Sequence, residues 1–307
     1  MKITEIFEKE KRTFSFEFFP PKNLKGAVQF GINAGQLMKL NPSFVTETCG
    51  AGGTTNDQTL DVVDLFNNKL KFTCVPHYTC VNATKEKVAY DMRTFTDRNI
   101  ENVMLLRGDP PEGSKGPLPE NPDGLNYASD LIKFVNENYG HFCIGAAAYP
   151  EKHPEAPSIA KDIENLKLKV DSGVDFLVTQ MFFKNDYYYR FMDKVAKAGI
   201  KCRVIPGILP ITDFRQIKRF AEISGAHIPD RLRKKMEAVL DRPDEVYKIG
   251  LDYAVEQSND LLENDAPGLH FFTLNKSRSA VEIYKSLAEE YTDINKSYKG
   301  SFTPHVP

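Results

Sequence analysis

Short apolar runs recur along almost the whole chain, each ending in a polar or glycine-rich segment and each separated from the next by residues at helical spacing. The runs are Thr13 to Phe18, Phe44 to Thr48, Phe72 to Cys80, Asn102 to Gly108, Phe142 to Pro150, Phe176 to Phe183, Arg203 to Pro210 and Leu269 to Asn275. Each is rich in β-branched and aromatic residues and bounded by Gly, Pro or Asn, which is the pattern of buried strands. Most of the spans between them can hold a crossover helix, so the strands are predicted to be parallel. Eight such units in one chain of 307 residues favour closure into a (β/α)8 TIM barrel, which needs about 250 residues, over an open doubly wound sheet. The connection before the last strand is irregular. Helical patterns at 213–224, 229–240 and 243–263 place extra helices between strands seven and eight. The expected organisation is one barrel over residues 1–291 and a polar C-terminal tail, 292–307, with two prolines.

Composition narrows the class. A chain of this length can bury a substantial core, and its 41% hydrophobic residues are spread evenly. A formal net charge of -2 supplies no field for nucleic acid or an anionic membrane. The start, MKITEIFEKEKR, has no apolar signal region, and no run of about 18 apolar residues occurs, so a cytoplasmic protein with no membrane partner is expected. The five cysteines, Cys49, Cys74, Cys80, Cys143 and Cys202, are odd in number and mostly within candidate strands, which fits reduced thiols.

In a barrel of this kind the chemistry gathers where strands end at their C-terminal side. Strand one delivers Glu17 among Phe16, Phe18 and Phe19, and desolvation by such neighbours raises a carboxyl pKa towards that of a general acid. A solvated or salt-bridged rim residue is the plainer alternative. Strand four ends in Leu106, Arg107, Gly108 and Asp109, a turn that offers both charges and a close backbone approach to a polar ligand. A local Arg–Asp pair bracing the loop explains it equally well. Strand five ends in three alanines, Tyr149 and His153, leaving room beside the strand for a flat group. The helix from 158 to 170 carries Asp162, Asn165 and Lys169 as a polar stripe beside its core face, either a solvated edge or a row of hydrogen bonders for a ligand. Gln180, in an apolar strand, requires a partner. Two suggestive segments are discounted. The loop from Gly50 to Thr55 lacks the third glycine of a dinucleotide fingerprint, Asn56 standing in its place. Cys74, His77 and Cys80 have no second cluster to complete a metal site, so no metal is expected.

Collinear motifs then carry a resemblance: SFEFFPPK at Ser15, HYTC at His77, LRGDPP at Leu106, YASD at Tyr127, AAYPEKHPEA at Ala147, TQMFF at Thr179, IPGILPI at Ile205 and FFTLN at Phe271. Over essentially its full length the chain resembles the methylenetetrahydrofolate reductases of the bacterial, catalytic-barrel-only type. The resemblance implies non-covalent FAD, reduced by NADH or NADPH, that passes hydride to 5,10-methylenetetrahydrofolate in ping-pong fashion, as part of one-carbon metabolism leading to methionine biosynthesis. A homo-oligomer is expected on the same ground. Carried over by position, Glu17 resembles the acid that assists opening of the folate ring, and Asp109 the carboxylate near flavin and pterin. Gln180, Gln216, Phe220 and Lys276 are the implied folate contacts. Thr48, His77, Leu106, Arg107, Gly108, Asp109, Tyr127, Ala128, Tyr149, His153, Asp162, Asn165 and Lys169 are the implied FAD contacts. Three positions depart from the family: Leu168 and Lys276 stand where arginines are common, and Cys49 where an aromatic is.

Two other functions are distinguishable. A flavoprotein subunit fed by a ferredoxin or other partner would keep the folate chemistry but change the donor, although no cysteine cluster for an iron–sulfur centre occurs in this chain. A metal-dependent barrel hydrolase would need convergent histidines and acids, and only His77 and His153 are candidate rim histidines.

Overall fold

The computed structural model describes residues 1–49, 57–108, 120–287 and 291. In chain order the elements are α1 (Ile3–Lys9), β1 (Thr13–Phe18), α2 (Leu24–Met38), β2 (Phe44–Glu47), α3 (Asp57–Asp64) running into a π-helical segment (Leu65–Leu70), β3 (Cys74–Thr79), α4 (Lys85–Asp97), β4 (Asn102–Leu106), α5 (Ala128–Asn138) and β5 (Cys143–Ala148). Then follow α6 (Ile159–Asp171), β6 (Phe176–Thr179), α7 (Asn185–Lys197), β7 (Arg203–Ile205), β8 (Gly207–Ile208), α8 (Phe214–Ser224), α9 (Asp230–Glu237), α10 (Pro243–Glu263), β9 (Gly268–Phe272) and α11 (Arg278–Ser286).

All strand pairings are parallel, in the order β7-β6-β5-β4-β3-β2-β1-β9-β8. The two ends of that series, β7 and β8, are consecutive halves of one line of chain broken at Pro206, so the sheet closes into the expected α/β barrel. The break has a local cause. Proline has no N–H for the ladder, its carbonyl turns to the N–H of His270 at 3.0 Å, and the N–H of Gly207 goes to Thr179 Oγ1 at 2.9 Å. The chain is so tight here that a Cβ on Gly207 would lie 2.3 Å from the Thr179 carbonyl oxygen. The first half of the line therefore pairs with β6 and the second with β9.

Alternation along β1 sorts its residues by face. Phe14, Phe16 and Phe18 point outwards, where Phe18 meets Phe30 and Phe66 and Phe14 meets Tyr284. Thr13, Ser15 and Glu17 point into the barrel. Its lower interior is apolar, with Phe44, Val75, Met104, Cys143, Phe176 and Ile205 packed together with Ile3 and Ile6 of α1. This first helix closes the N-terminal end of the barrel: the Ile3 N–H is accepted by Asn102 Oδ1 at 2.8 Å, and Arg203 donates to the carbonyls of Phe7 and Glu10 at 2.6 and 3.0 Å. With that end sealed, the barrel interior opens at its C-terminal end. A second cluster joins Phe183, Leu209, Ile211 and Phe214 to Leu232, Met236 and Val246, docking the extra helices α8 to α10 beside that opening.

Candidate active site

At the barrel mouth Glu17 is fixed from both flanks of β1. Its Cα pairs in register with Thr46 on one side and Phe272 on the other, and its carbonyl accepts from Thr273 Oγ1 at 2.6 Å. Its carboxylate lies between two imidazoles, with Oε2 3.7 Å from His77 Nε2 and 3.9 Å from His270 Nε2. Burial, with His270 adding to it, lowers the His77 pKa from 6.5 to about 4, against the smaller opposing pull of Glu17. His77 is thus neutral at pH 7 and its contact with Glu17 is not an ion pair. The other face of the His270 ring system is tied down: Nδ1 lies 2.8 Å from Ser15 Oγ, and the ring is 1% exposed. The hydroxyls of Thr48 and Thr79 and the Nε2 of His77 are buried with no hydrogen-bond partner among the described residues. Such atoms are costly to bury unsatisfied.

The aromatic flanks of Glu17 do not supply its environment, contrary to the expectation from sequence. Phe16 and Phe18 face the helices, and what faces the carboxylate is histidine. Glu47 is the surprise. Its register partners are Phe18 and Pro76, which places it on the outer side of β2, fully buried, with both carboxylate oxygens unpartnered among the described residues. Burial, reinforced by Glu17, holds its pKa well above the ordinary carboxylate value.

Beside the mouth, between the ends of β4 and β5 and the face of α6, lies a cavity of about 490 Å³. Its wall includes Arg107, Tyr127, Ala128, Tyr149, His153, Asp162, Asn165 and Lys169, together with Glu155, Lys161 and Leu168. Arg107 forms a bidentate pair with Glu155 at 2.6 and 2.7 Å. The His153 N–H is accepted by Asp162 Oδ2 at 3.0 Å, and the ring meets Tyr149 edge-on at 4.7 Å. Lys169 donates to the Ala147 carbonyl at 2.8 Å, and its pKa is pushed down by burial to about 8. Gly108 forms the narrow exit of β4 at φ +91°, where a Cβ would lie 2.7 Å from Val81 Cγ1. A side chain would fill that cradle.

The family model described as methylenetetrahydrofolate reductase matches residues 2–288. The chain belongs to the methylenetetrahydrofolate reductase family. It is 34% identical to the 5,10-methylenetetrahydrofolate reductase of Escherichia coli over 273 residues, 89% of this chain and 90% of that one. It is 35% identical to methylenetetrahydrofolate reductase (NADH) 1 of Arabidopsis thaliana over 296 residues, 93% of this chain but 50% of that one. The chain thus spans about half the length of the plant relatives it matches. Among solved structures, a Clostridium thermocellum protein that binds two copies of 5-methyl-5,6,7,8-tetrahydrofolic acid aligns with a TM-score of 0.63 at 14% identity, covering 97% of this chain and 100% of that one. That likeness shows the shared fold.

Most residues that the reductase resemblance singled out are brought together. Glu17 and His77 meet at the mouth and Thr48 follows the end of β2, while eight of the flavin-contact expectations line the lateral cavity, and Leu106 and Gly108 lie at and just past the end of β4. Asp109 lies outside the described residues. Gln180 is half-buried at the end of β6, with Oε1 accepting the Met181 N–H at 2.8 Å. Gln216 and the half-buried Phe220 lie one turn apart on α8, and Lys276 is exposed just beyond β9. Sequence reasoning missed Ser15, His270 and Glu47. The available signal was the same for all three, a polar side chain inside an apolar strand.

Proposed function

We propose that this protein reduces 5,10-methylenetetrahydrofolate to 5-methyltetrahydrofolate, using non-covalent FAD and electrons from NADH or NADPH, with the two substrates taking turns. The observation that carries the reading, within this family, is the Glu17 carboxylate held at the barrel mouth between His77 and His270, directly beside a cavity lined by the polar stripe of α6. The residues present fit the cofactor: Thr48 and His77 atoms with no partner among the described residues, the Gly108 cradle and the mixed-charge cavity are all sites that a large polar ligand would satisfy. Arg107, Tyr127, Ala128, Tyr149, His153, Asp162, Asn165 and Lys169 would hold FAD in the cavity, and Thr48, His77, Leu106 and Gly108 at the mouth. Bound FAD would supply the hydride chemistry.

The chain's own work is acid catalysis and positioning. Glu17 would deliver a proton to the folate imidazolidine nitrogen as that ring opens. Ser15 Oγ, 2.8 Å from His270 Nδ1, fixes the ring so that Nε2 is the nitrogen that faces Glu17. Asp109 would add a second carboxylate near the substrate, with Gln180, Gln216 and Lys276 as polar folate contacts and Phe220 as the ring that stacks on it.

An anaerobic absorbance titration tests this. NADH or NADPH should bleach the flavin band, and methylenetetrahydrofolate should restore it. A band untouched by either nicotinamide would assign the electron supply to a protein donor, and a protein that takes up no FAD would sink the cofactor reading.

A further inference from the structure

The lateral cavity presents four basic side chains along its described lining, and three are already committed. Arg107 is held in its bidentate pair with Glu155. Half-buried Lys169 turns its Nζ onto the Ala147 carbonyl. His153 accepts the Glu155 N–H on Nδ1 at 3.1 Å, and burial, followed by Arg107, holds its pKa below the ordinary histidine value, so the ring is mainly neutral at pH 7.

Lys161 differs from the other three. It sits in the first turn of α6, where its N–H is accepted by the N-cap Ser158, and its ammonium meets Glu164 at 3.0 Å with the two side chains 52% and 66% exposed. An exposed pair of that kind contributes little, so the ammonium can leave Glu164 for a ligand at little cost. The start of the helix beside it adds partial positive charge. Two carboxylates, Glu155 and Asp162, share the cavity wall, and a movable cation is what an anionic ligand would need to offset them. Leu168, two turns further along the same helix and lining the same cavity, carries no charge.

We infer that Lys161 is the ammonium that anchors the phosphates of FAD in this protein. The inference rests on the flavin reading above. The pyrophosphate is the anionic part of that cofactor and the riboflavin part is neutral, so the two can be separated by experiment. Holoprotein diluted to release its flavin, followed by flavin fluorescence, gives the FAD dissociation constant, and riboflavin titrated in parallel reports the phosphate-free part. Lys161→Ala should weaken FAD roughly tenfold, the order expected for one charge-assisted hydrogen bond, and leave riboflavin unchanged. Lys161→Arg should stay close to the parent, added salt should shrink the difference, and Leu168→Arg placed in the Lys161→Ala background should recover affinity. Lys161→Ala that holds FAD as the parent does, or that weakens FAD and riboflavin alike, overturns the inference while leaving the flavin reading intact. A parent protein that binds neither flavin removes both.

Discussion

Glu17 shows how little of a residue's environment can be read from its neighbours in the chain. Its flanking phenylalanines belong to the opposite face of β1, and the groups that meet the carboxylate come from β3 and β9, 60 and more positions away along the sequence. The prediction at this scale separates the half-reactions. Glu17→Gln should keep flavin reduction by nicotinamide and lower folate reduction by about 10²–10⁴, the usual range for a general acid; stopped-flow traces of each half-reaction check it, and equal loss in both would remove the acid assignment. Glu47 predicts a gain. Its carboxylate oxygens have no partner among the described residues, and a buried carboxyl in that state costs about 1–3 kcal/mol, so Glu47→Val should raise stability by that order in a urea titration. Glu17 and the α6 stripe were legible because strand ends and helical spacing are local patterns. Ser15 and His270 were not, because their significance lies in a pairing that only the closed barrel creates.

At the scale of elements, β1 and α10 occupy the spans that the sequence predicted, since both are bounded by strong stops: Pro20 after β1, and Pro243 and the Asn264 turn around α10. The run from Arg203 to Pro210 read as one strand and is two, because the apolar pattern continues through a proline that cannot hold the ladder. Gly207→Ala should cost roughly 1–3 kcal/mol through forced displacement of the Thr179 carbonyl or the Phe272 ring, whereas Gly31→Ala, whose added Cβ meets nothing, should be neutral or stabilising. Chemical denaturation of the two variants gives the comparison. The role of α1 was also hidden. MKITEIFEKEKR is amphipathic and charged, and the two isoleucines that seal the barrel are too few to announce a buried face.

For the whole molecule, two of the buried titratable groups carry pH dependence of opposite sign. His77 has a folded pKa below its unfolded value, so its contribution is complete above about 6.5 and is lost as pH falls towards 4, a difference on the order of 3 kcal/mol. Glu47 has a raised folded pKa, so its protonated form favours the fold below about 4.5 and that advantage is lost as pH rises. Melting temperatures from pH 4 to 7 should rise less steeply for His77→Gln than for the parent; an unchanged acid limb would contradict the buried, neutral ring.

The seam between β1 and β9 joins residues more than 250 positions apart, from Thr13 paired with Gly268 to Glu17 paired with Phe272. Closing so long a loop is among the slower steps available to a folding chain. The acid and the histidine that faces it stand on opposite sides of that join, so neither is assembled until it closes. A partly folded chain therefore lacks this pair, and Glu17 meets His270 only once the barrel is complete.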